Sequence, residues 1–243
     1  MEAKRVNPRH ISYLCIALCI IFAGGYILRQ NYLLNQAYQN AAPYDYIPAG
    51  EIHSILVTTP TFPYDSTAVL PYGQRARMLA DLWEEVCSAA GLTRVDTLVF
   101  SFTTTGEPAL WYRTSKAGQK QLVRQLPHLL SNNYRPVSER VGRMTVRHYA
   151  LYNGNFLHTF MAPGVIAFSF ESALFREALQ TVDVLSRREQ FTKTLHSLDS
   201  QAPARLLQQV NDLGYRSSGR WQGMNLRPIS TQATPADSAT LRP

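Results

Sequence analysis

Cysteine is scarce in this chain: of three in 243 residues, Cys15 and Cys19 fall inside the first apolar run and Cys87 stands alone beyond it. No intramolecular disulfide can staple the bulk of the chain, which must therefore bury an apolar core to fold. Acids are short as well, 17 Asp and Glu against 24 Lys and Arg, for a net charge of +7. Missing too are the spacings of common chemistries. There is no H-E-x-x-H, no paired-cysteine ligand set, no G-x-S-x-G and no S-x-x-K, which removes zinc hydrolases and the usual activated-serine enzymes. The absence of an N-x-S/T sequon fits a bacterial envelope better than eukaryotic secretion. No catalytic residue, cofactor or metal ligand is assigned.

What is present begins with Ile11 to Leu28, an 18-residue run without a charge. As a helix it covers roughly 27 Å, close to the thickness of a bilayer's hydrocarbon core. Lys4, Arg5 and Arg9 precede it against a lone Glu2, which predicts a cytoplasmic N-terminal tail and an exported remainder. Ala23-Gly24-Gly25 also offers a signal-peptide cut, but Tyr26-Ile27-Leu28 carries the apolar run past it, so an anchor is favoured. Cys15 and Cys19 each follow a leucine, where a lipoprotein needs a small residue. The expected organisation is a tail over 1–10, a transmembrane anchor over 11–28, a stalk over 29–50, a folded domain over 51–214 and a flexible tail over 215–243. The implied location is a bacterial inner membrane, with the C-terminal domain periplasmic.

Within the folded part, Ile52 to Thr58 reads as a first strand. Met78, Leu79, Leu82, Trp83, Val86, Cys87 and Ala90 recur at helical spacing up to a stop at Gly91. Cys87 shares that apolar stripe and reads as a core thiol. Val95 to Phe102 and Ala109 to Arg113 form a predicted hairpin, followed by a helix capped by Ser115 and weakened at Pro127. Met144 to Tyr152 and Asn155 to Met161 flank Asn153-Gly154, a hairpin signal; a third strand covers Val165 to Phe170, and Ser172 is the expected cap of the helix after it. Leu206, Leu207, Val210 and Leu213 predict a last helix after Pro203. Together these elements predict an α+β fold: a mainly antiparallel sheet with helices packed on one face.

The segment Val165-Ile166-Ala167-Phe168-Ser169-Phe170-Glu171-Ser172-Ala173-Leu174-Phe175-Arg176-Glu177-Ala178-Leu179, following the Asn153-Gly154 hairpin, resembles the strand, serine and helix pattern of uncharacterised single-span bacterial envelope proteins with a C-terminal domain of unknown function. The likeness spans Ile52 to Val182. It implies the topology and the fold, and no active site to carry over.

Six histidines invite a metal reading. With a two-residue turn at Asn153-Gly154, Tyr149 pairs with His158 and His148 with Thr159, which puts the two histidines on opposite faces; a three-residue turn reverses this. Ser169, between Phe168 and Phe170, reads as a strand residue. Asp96, Glu107 and Glu171 lie at strand ends and turns, where acids are commonplace. The aromatic content reads as sheet core. Charge is the one uneven feature. Between Arg113 and Arg147, eight Lys and Arg face the single acid Glu139, and Arg135, Arg140, Arg143 and Arg147 surround the loop and strand near Met144. They are the candidate contact for an anionic surface, although solvated outer faces produce the same run.

The expectation is a non-enzymatic, membrane-tethered domain that binds another envelope component, either a protein or an anionic component, with the lipid bilayer engaged through residues 11–28. Nucleic acid is not an expected partner, since no RNA-binding signature accompanies the charge. The competing classes are a hydrolase or transferase built from dispersed residues, which needs a deep pocket, and a lipid-handling domain, which needs an apolar groove.

Overall fold

The computed structural model describes residues 8–48, 52–59, 73–92, 97–130, 135–151, 154–180, 193–199, 201–202, 204–210 and 220–226. The first element, α1 (Pro8–Asn40), opens on a proline, which the first helical position tolerates because its N–H has no partner there anyway. Ile20, Ile21, Phe22, Tyr26, Ile27 and Leu28 are all more than half exposed. The helix is long and apolar enough to cross a membrane. It does not stop where the apolar run ends. The expected stalk is instead helical as far as Asn40, and a 3-10 turn (Pro43–Tyr46) follows. Ala41 and Ile47, on either side of that turn, are buried in the folded domain. The linker is therefore docked rather than free along this stretch.

Among the described residues nine strands form one sheet in the order β4-β5-β6-β7-β3-β2-β1-β8-β9, with every neighbouring pair antiparallel. They are β1 (Ile52–Thr58), β2 (Leu98–Thr103), β3 (Pro108–Arg113), β4 (Val137–Val141), β5 (Met144–Ala150), β6 (Phe156–Ala162), β7 (Val165–Ser169), β8 (Ala204–Val210) and β9 (Arg220–Leu226). The helices are α2 (Gly73–Ala89), α3 (Lys116–Leu130) and α4 (Ser172–Gln180). The α+β class and the antiparallel sheet match expectation; the helices do not all lie on one face.

The side-chain alternation of the strands makes two cores. Leu56, Phe100, Tyr112 and Phe168 point to the α2 and α3 side, where Trp83 of α2 and Leu122 and Leu126 of α3 meet them. Ile55, Val57, Val99, Trp111 and Phe160 point the other way, against Leu174 and Phe175 of α4 and Ile47. A sheet covered on both sides buries consecutive residues, so its strands lose the in-out signature of a half-exposed sheet. This explains the largest error of the sequence reading. The predicted helix from Pro203 is strand β8, whose adjacent Leu206 and Leu207 enter opposite cores, a pair that helical spacing mimics. The expected flexible tail likewise contains an edge strand: β9 pairs with β8 from Arg220 to Leu226 and buries Leu226.

Local chemistry explains the other boundaries. Gly91 at φ 59° ends α2, where Leu92 N–H reaches Cys87 O and Gly91 N–H reaches Ser88 O, each at 3.0 Å, the paired closure of a Schellman motif. Cys87 is buried against Tyr112, and burial pushes its thiol up to about 12, a core thiol as predicted. Ser115 Oγ accepts the Gly118 N–H at 3.1 Å and caps α3, which continues through Pro127. At α4 the cap is Glu171, one residue before the serine expected: its Oε1 accepts the Ala173 N–H at 3.2 Å.

Candidate functional site

The β4–β5 hairpin is closed tightly. Val141 pairs with Met144, and Gly142 supplies a φ of 59°, which places Arg143 at the tip. Strand alternation then sends Arg140, Thr145 and Arg147 to the α3 side, because Arg140 pairs with Thr145 and Ser138 with Arg147. On that side the first turns of α3 present Lys116 and Lys120, four residues apart on one helix face. The far half of α1 closes the space, with Gln30, Asn31, Leu34 and Tyr38 facing it. The result is a groove of about 560 Å³ into which Lys116, Lys120, Arg140, Arg143 and Arg147 converge and which, among the described residues, no carboxylate lines.

Four close approaches hold α1 in place. Tyr38 Oη donates to Gln119 Oε1 at 2.5 Å, and Gln119 Nε2 donates to Ala162 O at 2.8 Å, tying α1 to α3 and to the end of β6. Beyond β6, the Pro163-Gly164 corner turns with Gly164 at φ 82°. A Cβ there would stand 2.5 Å from Ala41 Cβ and 3.1 Å from Tyr38 O, so glycine is needed both for its backbone angle and for the contact with α1. Arg113 donates to Gln39 O, and Arg143 Nη2 to Gln30 Oε1 at 3.1 Å.

The electrostatics of the groove are one-sided. Tyr149, on the same face of β5 as Arg147, has its phenol pKa raised by burial, so it remains neutral and adds no counter-charge. Arg147 lies beside Tyr149 and opposes that rise, yet its own Nε is buried without a hydrogen-bond acceptor among the described residues. A buried donor on a charged group is costly to leave unpaired. Of the four arginines singled out in the sequence, Arg140, Arg143 and Arg147 line the groove; Arg135 precedes β4 and does not. Lys116 and Lys120 were not singled out, although they belong to the same basic stretch. Only the packing of α3 beside β5 reveals them. Gln30 and Asn31 carried no signal, since they fell in the expected stalk.

The opposite face of β5 corrects the histidine register. His148 pairs with His158, Tyr149 with Leu157 and Arg147 with Thr159. Leu151 N–H donates to Asn155 O at 2.8 Å, so three residues separate the closing pair, with Gly154 at φ 81°, a left-handed residue of the kind that ends three-residue hairpin loops. The two Nδ1 atoms are 2.6 Å apart, and Glu139 Oε1 is 3.4 Å from His148 Nε2. Burial lowers the His158 pKa, the nearby His148 and Arg176 lower it further, and Glu171 opposes them. Among the described residues no group of three or more His, Cys, Asp or Glu is placed to hold a metal.

The remaining residues considered from the sequence have structural partners. Ser169 Oγ donates to Pro108 O and accepts the Glu171 N–H, each at 3.0 Å. Glu107 pairs with Arg75. Asp96 lies outside the described residues.

No known family model matches the chain, and no curated protein is similar to it at a significant level. Among solved structures, crystal form I of TP0453 is similar over 70% of this chain, at 10% identity and a TM-score of 0.34. This chain covers 64% of that one, a likeness too low to carry a functional argument.

Proposed function

We propose that the chain is a single-span bacterial envelope protein, N-terminus cytoplasmic, whose exported domain binds an anionic envelope component in the groove between α1, α3 and the β4–β5 hairpin. The role is binding rather than catalysis. One observation carries this reading: five cationic side chains converge on one groove that, among the described residues, no carboxylate lines. Like charges so gathered repel one another, and an anion relieves that repulsion while supplying an acceptor for Arg147 Nε, which has none among the described residues. The anchor is supported by the 18-residue uncharged run and by Lys4, Arg5 and Arg9 before it.

The groove is tested with full-length chain in uncharged detergent, titrated with fluorescently labelled polyphosphate over a salt series. Each basic residue is worth about 1 kcal/mol near an anionic surface, so Arg140→Glu, Arg143→Glu and Arg147→Glu combined should weaken binding by tenfold or more. The control, Arg77→Glu, Arg124→Glu and Arg135→Glu combined, changes net charge equally away from the groove and should weaken it far less. Equal losses in the two triples would reduce the site to general charge. Reporter fusions placed after Arg29 and at the C-terminus should both report export; a cytoplasmic signal from either would overturn the topology.

A further inference from the structure

We infer that the groove takes the phosphate headgroup of an anionic lipid from the leaflet that α1 leaves, a headgroup carrying at least two negative charges. This rests on the anion-binding, membrane-anchored reading above and specifies its ligand.

Depth is the first argument. The helix is continuous from Pro8 to Asn40, so position along it measures distance from the bilayer core. Its uncharged run ends at Leu28, and the groove begins with Gln30 and Asn31. At about 1.5 Å per residue these lie roughly 3–5 Å past the apolar end, within a headgroup layer about 5–7 Å deep on each side. Tyr38, at the outer end of the groove, is about 15 Å past Leu28. The cavity therefore starts at headgroup level and runs outward, and a lipid can enter it without leaving its leaflet.

Size and charge supply the second argument. A volume of about 560 Å³ is too large for a bare phosphate ion and suits a headgroup with its glycerol. The walls are divided accordingly: arginines and lysines on the β4–β5 and α3 sides, with Leu34, Val123 and Met161 as apolar surface for the glycerol and first methylenes. A phosphodiester brings one negative charge against five positive ones. A phosphomonoester brings about 1.5 to 2 negative charges and three acceptor oxygens, which the arginine forks can engage in pairs.

The test is native mass spectrometry of the full-length chain in neutral detergent, with phosphatidic acid, phosphatidylglycerol or phosphatidylcholine added at equal mole fraction, and with soluble glycerol phosphate as competitor. Phosphatidic acid should be retained most, about tenfold over phosphatidylcholine, with phosphatidylglycerol between them. Arg143→Glu with Arg147→Glu should abolish the preference. Lys116→Gln with Lys120→Gln, at exposed positions on α3 that leave the sheet intact, should lower it, which covers the case in which the arginine pair unfolds. Displacement of the lipid by glycerol phosphate at equal concentration would assign the groove to a soluble phosphate and overturn the inference. So would equal retention of the three lipids while polyphosphate binding stays sensitive to the groove triple; that outcome leaves the broader anion-binding reading intact. Loss of both would remove that reading as well.

Discussion

The two faces of β5 carry nitrogen bases in alternation and treat them in opposite ways. On the α4 side, His148 meets His158 at 2.6 Å and has the Glu139 carboxylate 3.4 Å away, although His148 Nε2 makes no hydrogen bond among the described residues. On the α3 side, Arg147 joins four other cations in a cavity that no carboxylate among the described residues lines, and its buried Nε has no acceptor among them. One strand thus shows a cluster of bases with a carboxylate beside it and a cluster of cations with none among the described residues, separated by the thickness of the sheet. Charge satisfied internally reports on stability; charge left open reports on a ligand, since the uncompensated cost persists until something binds. The difference arises from what lies opposite. Glu139 pairs with Val146 and so shares the His148 face, whereas Arg140, its neighbour, shares the face of Arg147.

If both faces are true cores that differ only at the groove, the α4 side must be as cohesive as the α2 and α3 side. Trp111 tests this most severely. It is fully buried, packs 5.6 Å from both Phe160 and Phe175, and donates from Nε1 to Ser101 Oγ at 2.8 Å. Trp111→Ala should cost about 3–5 kcal/mol in denaturant unfolding; a loss under about 1 kcal/mol would mean that this layer is not a core.

The docking of α1, which completes the groove, is measured by a pair of glycines. Gly142→Ala introduces strain alone, because a Cβ there meets nothing within 4 Å, and should cost about 1 kcal/mol. Gly164→Ala adds the collision with Ala41 and Tyr38 and should cost about 2 kcal/mol or more. Equal costs would show that α1 contributes nothing to the stability of the domain. An effect as small as that of Gly142→Ala is expected at Ser115, the cap that orients the turn bearing Lys116 and Lys120. Ser115→Ala should lose about 1 kcal/mol, and Ser115→Asn should restore most of it.

How far the sequence could be read follows from which residues had to meet. Strands β1, β3 and β7 and helices α2 and α3 were legible because each rests on a local signal: β-branched runs, a capping serine, a glycine stop. β8 was not, because burial on both faces replaced alternation with the doublet Leu206-Leu207. β9 was not, because an edge strand exposed from Gln222 to Asn225 has little to hide. The histidine pairing turned on one residue of loop length, which composition does not fix. For the groove, the alternation that separates Arg147 from His148 was readable within β5. The contribution of Lys116 and Lys120, and of Gln30 and Asn31, depends on tertiary packing across more than twenty residues of sequence and had no local trace.

The mildest probe is pH, and it addresses the histidine side of the comparison. In the folded chain the His158 pKa lies below its ordinary 6.5, first through burial and then through His148 and Arg176, with Glu171 in opposition. The unfolded chain therefore binds the proton more readily than the folded one, and stability must rise with pH across the interval between the two values. Above about 6.5 both states are neutral at this residue and no penalty exists. As pH falls through 6.5 the unfolded state gains protons first, and the domain loses stability until the folded pKa is passed. The position is half-exposed, so the effect should be smaller than that of Ser115→Ala. Denaturant midpoints measured from pH 8 to pH 5 should fall more steeply for wild type than for His158→Gln, whose amide cannot titrate. Parallel curves would show that His158 takes its charge without penalty, and the contrast between the two faces would then have to rest on Arg147 alone.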